Sequence, residues 1–149
     1  MKKYHLPATF TVAISIIMSC TSKQDKAENR MRDFISGYET RVIPLYKEAA
    51  LASWDANITG TDADWARSEK ASFELTKLFT DTTAFKELKE LRESGLVKDS
   101  LLARQLELIY NSYLGGQVDP ALLAEQISME TEISKKYSNF RAIVNGKEL

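Results

Sequence analysis

The feature of this sequence that most constrains its fold is the recurrence of apolar residues at spacings of three and four after residue 25. Between residues 26 and 55 these positions form one stripe: Met31, Phe34, Ile35, Tyr38, Val42, Leu45, Ala49 and Ala52. A helix with 3.6 residues per turn places such positions on one face. The spacing therefore predicts a long first helix over this segment.

Pro44 stands inside the predicted first helix. Proline removes an amide donor and disfavours helical geometry at the preceding residue, so we expect a kink or a break there. Trp54 is expected to end the helix, and Asn57 and Gly60 lie in the turn that follows. Trp54 and Trp65 flank this turn. We expect both to anchor it to the core, and the alternative is that they border a ligand cleft.

Four further helices are predicted from residues that start and stop helices. Gly95 and Gly115-Gly116 are expected to end the third and fourth helices. The expected caps at the helix starts are Thr61 or Asp62, Thr82 or Thr83, Asp99 and Asp119. The stripe of the fifth helix is Leu123, Ile127, Glu130, Ile133 and Tyr137.

Two features near the end of the chain add to this pattern. Glu130 falls within an apolar stripe, so we expect it to need a buried partner. Asn145-Gly146 is a type I′ turn pair and predicts a short β-hairpin from about residue 140 to residue 149. The sequence thus predicts an all-α fold of several helices with a short β-hairpin at its C-terminal end.

Charge limits the classes of partner. The 149 residues carry a formal net charge of −1, and opposite charges are interspersed. Nucleic-acid binding requires a basic surface, and no basic excess is present. The sequence therefore predicts no nucleic-acid partner.

The first residues resemble a bacterial lipoprotein signal. Lys2 and Lys3 precede an apolar stretch that is too short to span a bilayer, and residues 17–20 read Ile-Met-Ser-Cys. Cys20 is the only cysteine of the chain, so it forms no disulfide within it. We predict a signal peptide over residues 1–19, lipidation of Cys20 and a tether over residues 20–24. The alternative is an ordinary secretory signal.

Lipidation implies a location. A multiply acylated cysteine attaches a protein stably to a membrane, whereas a single chain binds only marginally. We expect a lipid membrane as the partner of Cys20. The predicted location is the bacterial cell envelope, facing the periplasm or the outer surface.

The search for catalytic groups gives a negative result. The only histidine, His5, lies in the predicted signal peptide, so no His-Glu-x-x-His zinc motif and no Ser-His or Cys-His pair is present. The glutamates of the third and fifth helices alternate with lysines and arginines, which is typical of a solvated helix face. The sequence predicts no catalytic residue and no metal ligand in this chain.

Three segments resemble a known family. Residues 46–59 contain an alanine-rich helix, Trp54 and an Asn-Ile-Thr sequence that begins at Asn57. Residues 129–137 read Met-Glu-Thr-Glu-Ile-Ser-Lys-Lys-Tyr, and residues 101–114 lie between these two segments. In this order they are similar to the N-terminal helices of the angiotensin-converting-enzyme family. The resemblance extends from about residue 34 to residue 149.

The resemblance implies a large, almost all-helical zinc peptidase that removes C-terminal dipeptides. Residues 25–149 would form its N-terminal lid over a deep cleft and end before the zinc site. Zinc would be bound outside this chain, and a missing C-terminal part would share the peptide substrate. Trp54 and Asn57 would lie at the cleft rim, with a hinge between Trp54 and Asp62. The alternative is a stand-alone helical lipoprotein of the cell envelope that binds peptides or a partner.

Overall fold

The longest element of the structure, a computed structural model that describes residues 22–148, is helix α1 (Lys23–Thr59). The Ser22 hydroxyl and the Asp25 carboxylate cap its start reciprocally, so the helix takes in the last residues of the predicted tether. Cys20 and the predicted signal peptide lie outside the described residues.

Helix α1 excludes a break at Pro44 and corrects the predicted end of the helix. It continues through Pro44 without a break, because apolar residues on both sides of the proline pack against neighbouring helices. It also continues past Trp54 to Thr59, so the Asn-Ile-Thr segment is helical and the turn comprises only Gly60 and Thr61. Gly60 adopts a left-handed φ of 68° and donates its N–H to Ala56 O at 2.9 Å. The predicted kink at Pro44 stays a prediction.

The remaining elements follow the predicted order. They are α2 (Asp62–Lys77), a 3₁₀ turn (Leu78–Thr80), α3 (Thr82–Ser94), α4 (Ser100–Gly115), α5 (Pro120–Ser138), β1 (Ile143–Val144) and β2 (Lys147–Glu148). Thr61, Asp99 and Asp119 cap their helices as predicted. The predicted cap of α3 is wrong by one residue, because the Asp81 carboxylate accepts the free amides of Thr83 and Ala84.

The C-terminal hairpin forms at the predicted turn. Asn145 and Gly146 have φ angles of 52° and 77°, as a type I′ turn requires. The strands are antiparallel and pair Ile143 with Glu148 and Val144 with Lys147. The all-α prediction with a small terminal hairpin is confirmed.

The first of two cores lies between the first half of α1, α3 and α4. We call it the aromatic core, because three aromatic rings surround the fully buried Tyr113 ring. The rings of Phe34, Tyr38 and Phe79 lie 6.1, 6.4 and 5.4 Å from it. The other buried members are Ala27, Met31, Ala84, Leu88, Leu91, Val97, Leu102, Leu106 and Ile109.

The second core lies between the second half of α1 and α2, and α5 packs against α2. We call it the alanine core, because its buried cluster consists of Ala49, Ala52 and Ala71, with Leu75 partly buried beside them. Small side chains allow the two helix backbones to approach each other closely. No helix within residues 22–148 is long and apolar enough to cross a membrane.

Candidate functional site

The two tryptophans lie in different environments. Trp65 is 4% exposed and packs inside, as its predicted anchoring role requires. Trp54 is 67% exposed, so the prediction that it anchors a turn to the core is wrong. The reason is its position on α1: Trp54 is two residues from the buried Ala52, which places it on the other side of the helix.

Trp54 belongs to an apolar surface that we call the outer face of α1. Its members are exposed large hydrophobic residues of the second half of α1, namely Ile43, Tyr46, Leu51, Trp54 and Ile58. Leu51, Trp54 and Ile58 are spaced by three and four residues, so they are neighbours on the side away from the buried alanines, whereas Tyr46 borders Ala49. Neighbouring exposed apolar side chains of this kind are typical of interaction sites.

A second apolar surface runs along α5 into the hairpin, and we call it the outer face of α5. The predicted stripe of this helix divides, because Leu123 and Ile127 are buried whereas Ile133 and Tyr137 are exposed. Tyr137 is 83% exposed. The whole outer face of α5 consists of Leu122, Met129, Ile133, Tyr137, Phe140, Ile143 and Val144.

Glu130 does not need the buried partner that we predicted. Glu130 is exposed, and its Oε1 accepts a hydrogen bond from Gln126 Nε2 at 2.8 Å on the surface of α5. The prediction was wrong because the apolar stripe was placed slightly off the buried face of the helix.

Asn57, the second predicted rim residue, lies where the ends of α1 and α5 meet. Its amide nitrogen donates to Ser53 O at 2.8 Å, and its Oδ1 accepts from the Ser138 hydroxyl at 2.7 Å. Asn139 Nδ2 donates to Gly60 O at 3.1 Å. Asn57 therefore holds the end of α1 against α5, and Trp54 lies one turn before this junction.

The same junction is closed by polar contacts at the start of α2. Lys135 forms an ion pair with Asp62 and lowers the pKa of this carboxyl group through its hydrogen bond and its charge. A side chain at Gly60 would meet Asn139 Oδ1 at 2.6 Å, and its φ of 68° also favours glycine. The single turn between α1 and α2 is thus fixed to the end of α5.

A cavity of about 330 Å³ opens between α1, α2 and α5 beside this junction. Its lining contains six hydroxyl groups, which belong to Ser53, Ser68, Ser72, Thr76, Thr131 and Ser134. We call it the hydroxyl cavity. Hydroxyl groups both donate and accept hydrogen bonds, so the cavity can match the amide and carbonyl groups of a peptide backbone.

The hydroxyl cavity was not predicted from the sequence. Its one sequence signal is the spacing of four between Ser68, Ser72 and Thr76, which puts three hydroxyl residues on one face of α2. Residue 68 is buried, at 6% exposure. A row of hydroxyl residues whose first member is buried between Trp65 and Ala71 indicates a polar cavity.

The described residues do not fit a zinc site. Residues 22–148 contain neither histidine nor cysteine, and their carboxylates form no group of three that could hold a metal ion. Zinc in this type of peptidase takes two histidines and a carboxylate. The prediction that zinc is bound outside this chain stays a prediction.

Most glutamates on the third and fifth helices lie in exposed ion pairs, although within residues 22–148 Glu125 and Glu130 do not. Arg30 pairs with Glu87 and Glu90 across to α3, and the Glu132 carboxylate pairs with Lys136 along α5 at 2.7 Å. These contacts are those of a solvated helix face, as the charge pattern indicates. The Trp54 and Asn57 region is the candidate site.

Comparison with known proteins adds no relative. No protein-family model, no curated protein and no solved structure matches this chain.

Proposed function

We propose that this chain is the lid-bearing N-terminal part of a zinc-dependent peptidyl-dipeptidase, attached to the bacterial cell envelope through a lipid on Cys20. In this proposal the described helices cover the substrate cleft. The zinc ion and the catalytic groups belong to a C-terminal part of the enzyme, and the peptide substrate contacts both parts. The enzyme releases C-terminal dipeptides.

One observation carries the proposal. All three segments that resemble the angiotensin-converting-enzyme family expose large apolar side chains. Residues 46–59 present Tyr46, Leu51, Trp54 and Ile58, residues 101–114 present Leu101, Leu108 and Leu114, and residues 129–137 present Met129, Ile133 and Tyr137. A helical module that exposes two apolar faces is expected to pack on a larger body or to contact a ligand.

The geometry of the junction supports a role in admitting peptides. Only Gly60 and Thr61 lie between α1 and α2, so a movement of α1 relative to α2 would bend the chain at these two residues and would first have to break the contacts that hold this turn to the end of α5. Lid motions use a few positions at the ends of elements while packed helices move as rigid bodies. Trp54 lies nearly two turns before this joint, and its side chain is free to contact a peptide.

The test uses the enzyme purified from its native membrane, with Trp54→Ala as the variant and Leu108→Ala as a matched control. Leu108 is an exposed apolar residue on α4. We expect Trp54→Ala to change the ratio of dipeptide release from short and long peptides, because a lid residue limits peptide length. Leu108→Ala should leave this ratio unchanged, and both variants should retain zinc.

If Trp54→Ala leaves the ratio of dipeptide release from short and long peptides unchanged, Trp54 does not act as a lid residue. A purified enzyme without zinc or dipeptide release would contradict the whole proposal. The reading frame that follows codon 149 gives an independent check, since the proposal requires it to encode a His-Glu-x-x-His motif.

A second candidate function is that of a stand-alone lipoprotein that binds peptides or a protein partner in the cell envelope. The hydroxyl cavity favours it, because this cavity and the outer face of α1 both lie within residues 22–148. Binding of short peptides to the 149-residue protein, weakened by Ser72→Val, would support this function. A zinc motif in the following reading frame would count against it.

A further inference from the structure

A pocket lies at the end of the molecule where α1 begins. It has a volume of about 220 Å³ and is formed by the first two turns of α1 and the end of α3. We call it the basic pocket, because Lys23, Lys26 and Arg30 line it and, among the described residues, Glu90 is its only acidic lining residue. Its apolar wall consists of Ala27, Leu91 and Leu96.

The two lysines of the basic pocket form no ion pair with a carboxylate of the described residues. Within residues 22–148, no carboxylate lies within ion-pair distance of Lys23 or Lys26. The nearby carboxylates are already engaged, because Asp25 accepts hydrogen bonds from Ser22, whereas Glu90 pairs with Arg30 at 3.7 Å.

The neighbouring loop is held beside this end of α1 by one buried carboxylate. Glu28 Oε1 accepts hydrogen bonds from the amides of Lys98 and Asp99, each at 3.1 Å. The same loop leads into α4, whose residue Leu101 is 66% exposed. The end of the molecule therefore combines lysines with an exposed apolar side chain, which is the composition of a surface that rests on a membrane interface.

The distance to the expected lipid anchor is short. Cys20 precedes Lys23 by three residues, and three fully extended residues span at most about 10 Å. A lipid on Cys20 would keep the basic pocket within about this distance of the headgroups. The potential of an anionic membrane surface falls off over about 8 Å at physiological ionic strength, so Lys23 and Lys26 would experience it.

We propose that the basic pocket binds the phosphate of an anionic phospholipid in the membrane that holds Cys20. The inference rests on the proposed lipidation of Cys20 and not on the peptidase activity. Lys23 and Lys26 supply positive charge to the phosphate, and the apolar wall contacts the glycerol and the first acyl carbons. This contact sets the orientation of α1 relative to the membrane surface.

The experiment uses the lipidated full chain in vesicles. Intact mass first establishes that Cys20 carries lipid, so failure of the anchor is distinguished from failure of the pocket. Because Cys20 is the only cysteine and is acylated, a cysteine introduced by Ser100→Cys takes an environment-sensitive fluorophore at one position. Ser128→Cys on α5 provides a label far from the pocket. Emission is compared between zwitterionic vesicles and vesicles that contain phosphatidylglycerol.

We expect a blue shift of the label at residue 100 on phosphatidylglycerol vesicles and little change at residue 128. Lys23→Gln with Lys26→Gln should reduce the ratio of docked to undocked protein by about fivefold per lysine. Lys47→Gln with Lys70→Gln removes the same charge elsewhere and should leave the shift intact. Equal loss in both double variants, or an equal shift on zwitterionic vesicles, would overturn the proposal. Reversal by inorganic phosphate, but not by chloride at equal ionic strength, would overturn it in favour of a free-phosphate site.

Discussion

The aromatic core and the alanine core are built on the same helix, α1, but they are packed with side chains of different size. The aromatic core holds the largest fully buried side chains, Tyr113, Met31, Leu88 and Leu91. The alanine core joins α1 to α2 through Ala49, Ala52 and Ala71, and the hydroxyl cavity lies beside it. Burial of large apolar side chains contributes most of the stabilisation, so the first region is expected to carry the fold.

The difference also explains where the candidate site lies. In the second region, α1 buries alanines on its inner side and exposes Tyr46, Trp54 and Ile58 on its outer side. A helix that buries only small residues contributes little apolar area to its own domain. Its large apolar residues are left for contact with something else. The outer face of α1 and the hydroxyl cavity therefore both lie in the region whose buried side chains are small.

The largest expected effect tests this comparison directly. Leu88→Ala should lower the free energy of unfolding by an amount near the upper end of about 2–5 kcal/mol, because Leu88 is fully buried in the aromatic core. Ile127→Ala should fall near the lower end. Ile127 borders the hydroxyl cavity. Its truncation therefore enlarges a cavity with polar walls and does not create a new cavity with apolar walls. Urea unfolding of both variants provides the measurement. Equal costs would show that the two regions are equally well packed.

A smaller effect concerns the one buried carboxylate of the aromatic region. Hydrogen bonds from Gln24 and from the amides of Asp99 and Lys98 lower the pKa of Glu28 below its ordinary value of 4.5. The unfolded state then binds more protons than the folded state in acid. The stabilisation by Glu28 is complete above pH 4.5 and is lost as the pH falls through the lowered folded value.

Glu28→Gln should therefore destabilise the protein at pH 7 by less than Leu88→Ala does. The difference from the unmodified protein should disappear as the pH falls toward 2. Urea unfolding at a series of pH values measures this, with Glu125→Gln on the exposed surface of α5 as the control. A difference that persists unchanged at pH 2 would show that Glu28 acts through packing alone.

Much of the fold could be predicted from the sequence, because local signals determine it. The apolar spacing predicted α1, and residues that start and stop helices predicted the other four, with Asp99, Asp119 and Gly95 at the correct helix ends. The end of α1 could not be predicted in this way. Asn57 and Gly60 favour turns locally, but in the folded chain Asn57 binds Ser53 within the helix and Gly60 ends it.

The candidate site was harder to predict, because it depends on how the helices pack together. The spacing places Trp54 off the buried stripe of α1, so its exposure was within reach of sequence reasoning. The hydroxyl cavity combines side chains from three helices, and only the row Ser68, Ser72 and Thr76 is visible along one of them. The outer face of α5 was missed because this helix carries apolar residues on two sides, and a single period does not separate them.

The smallest expected effect on the free energy of unfolding is that of Trp54→Ala. This effect is informative when it is compared with that of Trp65→Ala. Trp65 is 4% exposed, so its loss should cost about 3–5 kcal/mol. Trp54 is 67% exposed, so its loss should change the free energy of unfolding of the 149-residue chain by no more than about 0.5 kcal/mol. Urea unfolding of both variants of this chain measures the contrast. A cost of Trp54→Ala comparable to that of Trp65→Ala would mean that the outer face of α1 is covered within this chain, and a covered face could not contact a peptide. A negligible cost in this chain, together with a clear cost in a longer protein that includes the proposed C-terminal part, would locate the covering surface in that part.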